Sequence, residues 1–106
     1  MWNEEKVAET VNAHKVVIFA KGTKMQPQCG FSMKAMELMN RTGKPYEVVN
    51  IFDDPDIRPA LVNYSKWPTT PQVFVNGELL GGSDIIEEMM KSGELQKKLD
   101  AAFATT

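Results

Sequence analysis

The chain contains one cysteine, Cys29, in the stretch "KGTKMQPQCGFSMKAM" that spans residues 21 to 36. A thiolate is both a nucleophile and a soft metal ligand, so the surroundings of this sulfur decide which chemistry is open to it. The plainest reading of a lone cysteine is a small buried hydrophobe. The flanks of Cys29, "PQ" before it and "GFS" after, are loop-like and oppose that reading. The pattern places Cys29 after the loop that follows a first strand, on the first turn of a helix. Free backbone N–H groups and the positive end of the helix dipole favour a thiolate there. Lys21 and Lys24 in the loop would add to that field, and Gly30 leaves the sulfur approachable. Ser32 either offers its hydroxyl to the sulfur or is an ordinary helix-start residue. In a C-x-x-C site the second thiol releases the first from a mixed disulfide. Here the spacing is C-x-x-S, so an outside thiol must resolve anything held on Cys29.

The elements that must position this sulfur follow from apolar periodicity and turn residues. Residues 3–12 are weakly amphipathic, with Val7, Ala8 and Val11 on one side. "KVVIFA" (15–20) reads as a buried strand, and Phe31, Ala35, Met36, Leu38 and Met39 fall at helical spacing before "TGKP" stops that helix. "YEVVNI" (46–51) alternates as a second strand. Asp54 is a candidate N-cap with Pro55 at the first helical position, and Ile57, Ala60, Leu61 and Tyr64 form the apolar stripe behind them. Pro59 falls early enough in that helix to be tolerated. In "PQVFVNGELLGG" two apolar runs flank Asn76-Gly77, a tight-hairpin signal. Asp84 with Glu87 marks a further helix start, with Ile85, Ile86, Met89 and Met90 expected in the core and Gly93 ending the helix. Leu95, Leu99, Ala102 and Phe103 make the stripe of a last helix. The order α-β-α-β-α-β-β-α-α predicts an α/β fold: a mixed four-stranded sheet with helices on both faces. Strands separated by helices are expected to pair in parallel through right-handed crossovers, and the hairpin to be antiparallel.

Composition bounds the function. The chain has 106 residues, enough for a single domain over 1–106, with a net charge of −2 and no Lys/Arg run. Nothing prepares a phosphate-binding surface, so nucleic acid is not an expected partner. The longest apolar run, "VVIFA", is too short to cross a bilayer, so no membrane association is expected. The N-terminal "MWNEEKVAET" is acidic and polar, and one cysteine forms no internal disulfide, which suits a reducing compartment. The cytoplasm is the expectation, with the mitochondrial matrix or plastid stroma as alternatives for a chain whose leader was removed. His14 has no partners at metal-ligand spacing, Met33, Met36 and Met39 read as core packing, and Asp53, Asp54 and Asp56 as helix-start charges.

"CGFS" with "KGT" and a proline two residues upstream, followed by "WPTTPQVFVNGELLGGSDI", resembles the monothiol (CGFS-type) glutaredoxins from about Glu5 to Leu99. The resemblance implies a thioredoxin-like fold and a groove for glutathione beside Cys29. By themselves Lys21 and Arg58 read as solvated surface cations; the resemblance implies that they hold a glutathione carboxylate. It likewise implies that Pro71 is cis and that the backbone of Thr70 pairs with the ligand in the manner of strand addition. Gly81, Gly82, Ser83 and Asp84 match a turn that caps a helix. Its N–H groups would receive the γ-glutamyl carboxylate, and Asp84 the ammonium. Read alone, Ser83-Asp84 is an ordinary N-cap. Trp67 and Phe31 would flank this surface, or simply pack in the core.

A [2Fe–2S] cluster takes four thiolate ligands. The resemblance implies that Cys29 and one glutathione from each of two chains complete the set, giving a homodimer bridged by a labile cluster. The expected function is therefore a glutathione-dependent cluster scaffold or carrier. Apo iron–sulfur proteins would be recipients and a BolA-like protein a partner. The alternative is a glutathione-dependent oxidoreductase with Cys29 as nucleophile. A redox-silent interaction module fits worst. The sequence departs from the family's commoner choices at residues 24–26 ("KMQ") and at the Thr70 side chain, and it carries Ser83 where many relatives have a second cysteine.

Overall fold

Five consecutive apolar residues, "VVIFA", form β1 (Val16–Ala20), and all five are buried. Successive side chains of a strand point to opposite faces, so a strand buried throughout must be covered on both. Val16, Ile18 and Ala20 enter one core cluster, and Val17 and Phe19 the other. The computed structural model describes residues 1–104. Around β1 it places α1 (Glu4–Ala13), α2 (Gly30–Thr42), β2 (Glu47–Asn50), α3 (Ile57–Ser65), β3 (Gln72–Val75), β4 (Glu78–Gly81), α4 (Ser83–Ser92) and α5 (Glu94–Ala104). The sheet order is β2-β1-β3-β4. Buried residues of α2, α4 and α5 pack on one face with Ile18, Val73 and Val75. Those of α1 and α3 pack on the other with Phe19 and Phe74. The expected α/β architecture, a mixed four-stranded sheet between two helical layers, is the one observed.

The pairing expectation needs one correction. β1 and β2 are parallel, but β3, which also follows a helix, is antiparallel to β1 with Phe19 opposite Gln72 and Val16 opposite Val75. Arg58 in the first turn of α3 and Trp67 beyond its end line the same groove. The connection thus starts and finishes at one end of the sheet, and the chain can re-enter only in the reverse direction.

Local signals explain most element ends. Asn3 caps α1 by accepting from the Lys6 N–H at 2.8 Å. α2 and α4 stop at Gly43 and Gly93, both in the left-handed region. Asn76 and Gly77 both take positive φ, 52° and 82°, in the tight turn joining β3 to β4. α3 begins at Ile57, later than Asp54 and Pro55 suggest. Asp54 caps the preceding turn, its Oδ1 accepting from the Asp56 N–H at 2.8 Å and its carbonyl from the Ile57 N–H at 3.1 Å. Pro59 is then the third residue of α3, where a proline still costs no helical bond. The N-cap of α4 is Gly82, not Asp84, and Glu87 turns to Lys34 instead of closing a capping box. Met33 and Ile85, expected in the core, are 45 % and 36 % exposed.

Phe19 is fully buried with edge-on ring contacts to Trp2 and Phe74, at centroid distances of 6.2 and 5.8 Å. Phe19→Ala is expected to lower the unfolding free energy by about 3–5 kcal/mol in urea titration; a loss below about 1 kcal/mol would contradict this packing.

Candidate functional site

Cys29 is the N-cap residue of α2, one position before its first turn, in extended conformation with φ −148°. Its carbonyl accepts from the Met33 N–H at 2.9 Å, which starts the helix. The partly exposed sulfur is left facing the unpaired N–H groups of the first turn. Its thiol ionises more readily than an ordinary one. The main cause is the Ser32 backbone N–H, opposed by burial and assisted by the Phe31 N–H, the Lys21 charge and the Ser32 hydroxyl. Both readings of Ser32 therefore hold. Its oxygen accepts from the Lys21 N–H at 3.1 Å, tying the loop to the helix, while its own proton remains for the sulfur. Lys24 does not join this field: its Nζ donates to the Tyr46 carbonyl at 3.1 Å and lies 3.9 Å from the Tyr46 ring centroid.

The loop that delivers Cys29 is held at its base. Gln28 N–H donates to the Lys21 carbonyl at 2.8 Å, and Gly22 N–H to Asn50 Oδ1 at 3.0 Å. Gly22 has φ +97°, and a Cβ there would lie 2.5 Å from the Gln26 oxygen and the Gln28 nitrogen. Only glycine fits this crossing.

A groove of about 500 Å³ opens beside the sulfur. It is lined by Lys21, Cys29 and Phe31 from the first loop and α2, by Arg58 from α3, by Trp67, Thr69, Thr70 and Pro71 from the loop before β3, and by Gly82, Ser83, Asp84 and Ile85 from the start of α4. Most of the residues expected from the sequence meet here. Gly30 and Gly81 do not line it; Gly30 opens on a second surface with Met33 and Glu37, and among the described residues nothing lies within 4 Å of where its Cβ would be. Phe31 is 61 % exposed and belongs to the groove wall, not to the core.

The Thr70–Pro71 peptide is cis, as the resemblance implied. Among the described residues the Thr70 backbone makes no hydrogen bond, so both its polar groups are free for an edge-on ligand. Gly81 at φ +139° brings the chain into α4, and a Cβ on it would meet Ile85 Cδ1 at 2.6 Å. The Asp84 carboxylate is 82 % exposed and lies 3.5 Å from Lys34 Nζ, which is nearer to Glu87 at 3.1 Å. Hydrogen bonding to Glu87 raises the ionisation point of Lys34, and Lys34 lowers that of Glu87. The groove thus carries two cations, a helix N-terminus with a carboxylate, and the sulfur among its lining.

Sequence reasoning missed Thr69, Ile85 and Gln72. For Ile85 the sequence predicts a core position, because helical spacing alone does not separate a flank from a buried face. Gln72 is fully buried, and its side-chain amide donates to the carbonyls of Trp67 and Thr69. Trp67 Nε1 and Gln72 Oε1 are buried without a partner among the described residues.

These surroundings predict a pH profile. Alkylation of Cys29 by iodoacetamide is expected to plateau at lower pH in the folded chain than in urea, and Lys21→Gln and Ser32→Ala should each move the folded profile upward without merging the two. Because the folded thiol ionises more readily, its thiolate adds stability above the unfolded thiol's ionisation, and that contribution is lost as pH falls through the folded one. Identical folded and unfolded profiles would contradict the described field.

A glutaredoxin family model matches residues 16–80. The chain is 47 % identical over 100 residues to an uncharacterized monothiol glutaredoxin (ycf64-like) of Synechocystis sp., covering 94 % of each. It is 45 % identical over 92 residues to human Glutaredoxin-3, of which it spans only 28 %. Among solved structures, reduced apo GrxS14 of poplar superposes with a TM-score of 0.84 at 43 % identity, covering 96 % of this chain and 94 % of that one. A buckwheat glutaredoxin–glutathione complex superposes equally well, TM-score 0.84, at 26 % identity over 97 % of this chain and 92 % of that one. With Cys29 as its one thiol and Ser32 at the position of a second, the chain belongs to the glutaredoxin family, among its monothiol members.

Proposed function

We propose that this chain is a glutathione-dependent scaffold or carrier of [2Fe–2S] clusters. The observation that carries the reading is a single, partly exposed, readily ionised sulfur lining a groove whose charges match a tripeptide with two carboxylates and an ammonium. Lys21 and Arg58 suit the glycyl carboxylate. The N–H groups at the start of α4, around Gly82 and Ser83, suit the γ-glutamyl carboxylate, with Asp84 beside its ammonium. The free Thr70 backbone next to the cis Pro71 suits the peptide bonds between. The buckwheat glutaredoxin was solved as a complex with glutathione, which supports the assignment.

The cluster is cargo, and the donor set tests its fit. Iron–sulfur units are held by thiolates. One chain offers one, and among the described residues no group of three or more His, Cys, Asp or Glu side chains could hold a metal ion. One chain therefore cannot complete the shell. Two chains and two glutathiones would. Donors that are half small molecules exchange with free thiols, which suits delivery to apo iron–sulfur proteins; a BolA-like protein is proposed as a further partner.

A second reading draws on the same lowered thiol ionisation. The Cys29 thiolate would attack the glutathione sulfur of a glutathionylated protein, forming a Cys29–glutathione disulfide and releasing the protein thiolate. Since Ser32 cannot resolve that bond, a second glutathione thiolate attacks it, freeing Cys29 and leaving oxidised glutathione.

Reconstitution with iron, sulfide and glutathione separates the two. The scaffold reading expects a brown dimer that reverts to colourless monomer when glutathione is withheld, and no colour from Cys29→Ser. Arg58→Gln and Asp84→Asn should each weaken glutathione binding by roughly three- to tenfold, about 0.7–1.4 kcal/mol. Full metal occupancy in Cys29→Ser, or no affinity for glutathione, overturns the proposal. A colourless wild type with brisk turnover of a glutathionylated substrate favours the oxidoreductase.

A further inference from the structure

Gln72 is the first residue of β3 and follows the cis Thr70–Pro71 peptide directly. It is one of three buried polar or charged side chains among the described residues, and the only amide of the three. Both protons of its Nε2 are in use: it donates to the Trp67 carbonyl at 2.9 Å and to the Thr69 carbonyl at 3.0 Å. Two carbonyl acceptors fix which end of the amide faces the loop, since an oxygen there would repel both. The other end is left unsatisfied, because Oε1 is buried with no partner among the described residues. An unpaired buried acceptor is a cost that an apolar side chain at this strand position would avoid. The amide is therefore retained at the expense of local stability, and what it holds is the loop.

That loop supplies Trp67, Thr69, Thr70 and Pro71 to the groove, while Gln72 itself does not line it. Gln72 is not among the groups that make the Cys29 thiol ionise more readily, which are Ser32, Phe31 and Lys21. We propose that Gln72 is a positioning residue: its amide bridges the carbonyls on either side of Pro68 and holds the backbone of Thr70 at the height where a peptide ligand pairs with it. This rests on the glutathione reading given above. A loop ordered before the ligand arrives spares the ligand the entropy of ordering it. Gln72 thus tunes affinity for the tripeptide backbone without touching it, and separately from the reactivity of the sulfur.

Gln72→Met keeps length and bulk while removing both donors, and calorimetric titration with glutathione, iodoacetamide profiling of Cys29 and thermal unfolding read the result. Affinity is expected to fall by about tenfold, with the Cys29 pH profile unmoved and the unfolding midpoint unchanged or raised. Unchanged affinity in a wild type that binds glutathione overturns the proposal. So does a loss of affinity that travels with a shifted Cys29 profile or a lowered midpoint, since that is general disruption. If Gln72→Met does not fold, proton exchange in the wild type decides: the Gln72 side-chain amide protons should be protected, and more so with glutathione present. Exchange at the rate of a free amide overturns the assignment. A wild type that binds no glutathione overturns the functional reading itself and this inference with it.

Discussion

A partly exposed thiol at the N-cap of α2, made easier to ionise by the first backbone N–H groups of that helix, is the feature around which the rest of the molecule is arranged. The strongest stabilising influence on it comes from the main chain at Ser32, not from a neighbouring charge. Helix N-termini supply such donors wherever a chain leaves a loop for a helix. What is particular here is that the sulfur sits at the N-cap and remains partly open to solvent. Its electrostatics are therefore built into α2 and survive the loss of any one side chain. The hydroxyl of Ser32 and the ammonium of Lys21 adjust a field that the backbone establishes.

The sheet brings four chain segments to that sulfur. β1 ends at Ala20 and hands over to the Lys21–Gln28 loop, pinned to Asn50 at the end of β2 and to Ser32 in α2. The antiparallel entry of β3 puts the Trp67–Pro71 loop at the same end, and the hairpin then leads back so that α4 begins there too. Ligands of open α/β sheets commonly bind where strands end and helices begin, and this groove is such a place. Lys34 links the two helices that begin there, reaching from α2 to Glu87 and Asp84 on α4. As an exposed pair it stabilises little by itself, yet it places a cation next to the carboxylate nearest the groove.

Most of the fold was legible because sequence period and punctuation agree. Val16–Ala20 has no polar residue to expose, Asn76-Gly77 accepts positive φ, and Gly43 and Gly93 end helices in the left-handed region. The direction of β3 was not legible. Nothing local in "WPTTPQVFV" states at which end of the sheet a crossover finishes, and that depends on how α3 lies across the core. For the groove, the family resemblance carried more than the residues did. Lys21 and Arg58 read alone as surface cations, and their convergence is a tertiary fact. Residues whose role depends on a neighbour's backbone were the least visible. Lys24 has the charge to aid Cys29 but finds the Tyr46 carbonyl and ring. Gln72 looks like any polar residue at a strand start until the two carbonyls above it are seen.

The central claim is that one sulfur per chain is too few for the cargo, and that glutathione supplies the remainder. Native mass spectrometry of the loaded protein, with small molecules retained, weighs that donor set directly. A species of two chains, two glutathiones and one Fe2S2 unit is the expected result. A loaded species free of glutathione, or one chain carrying the cluster alone, would contradict it.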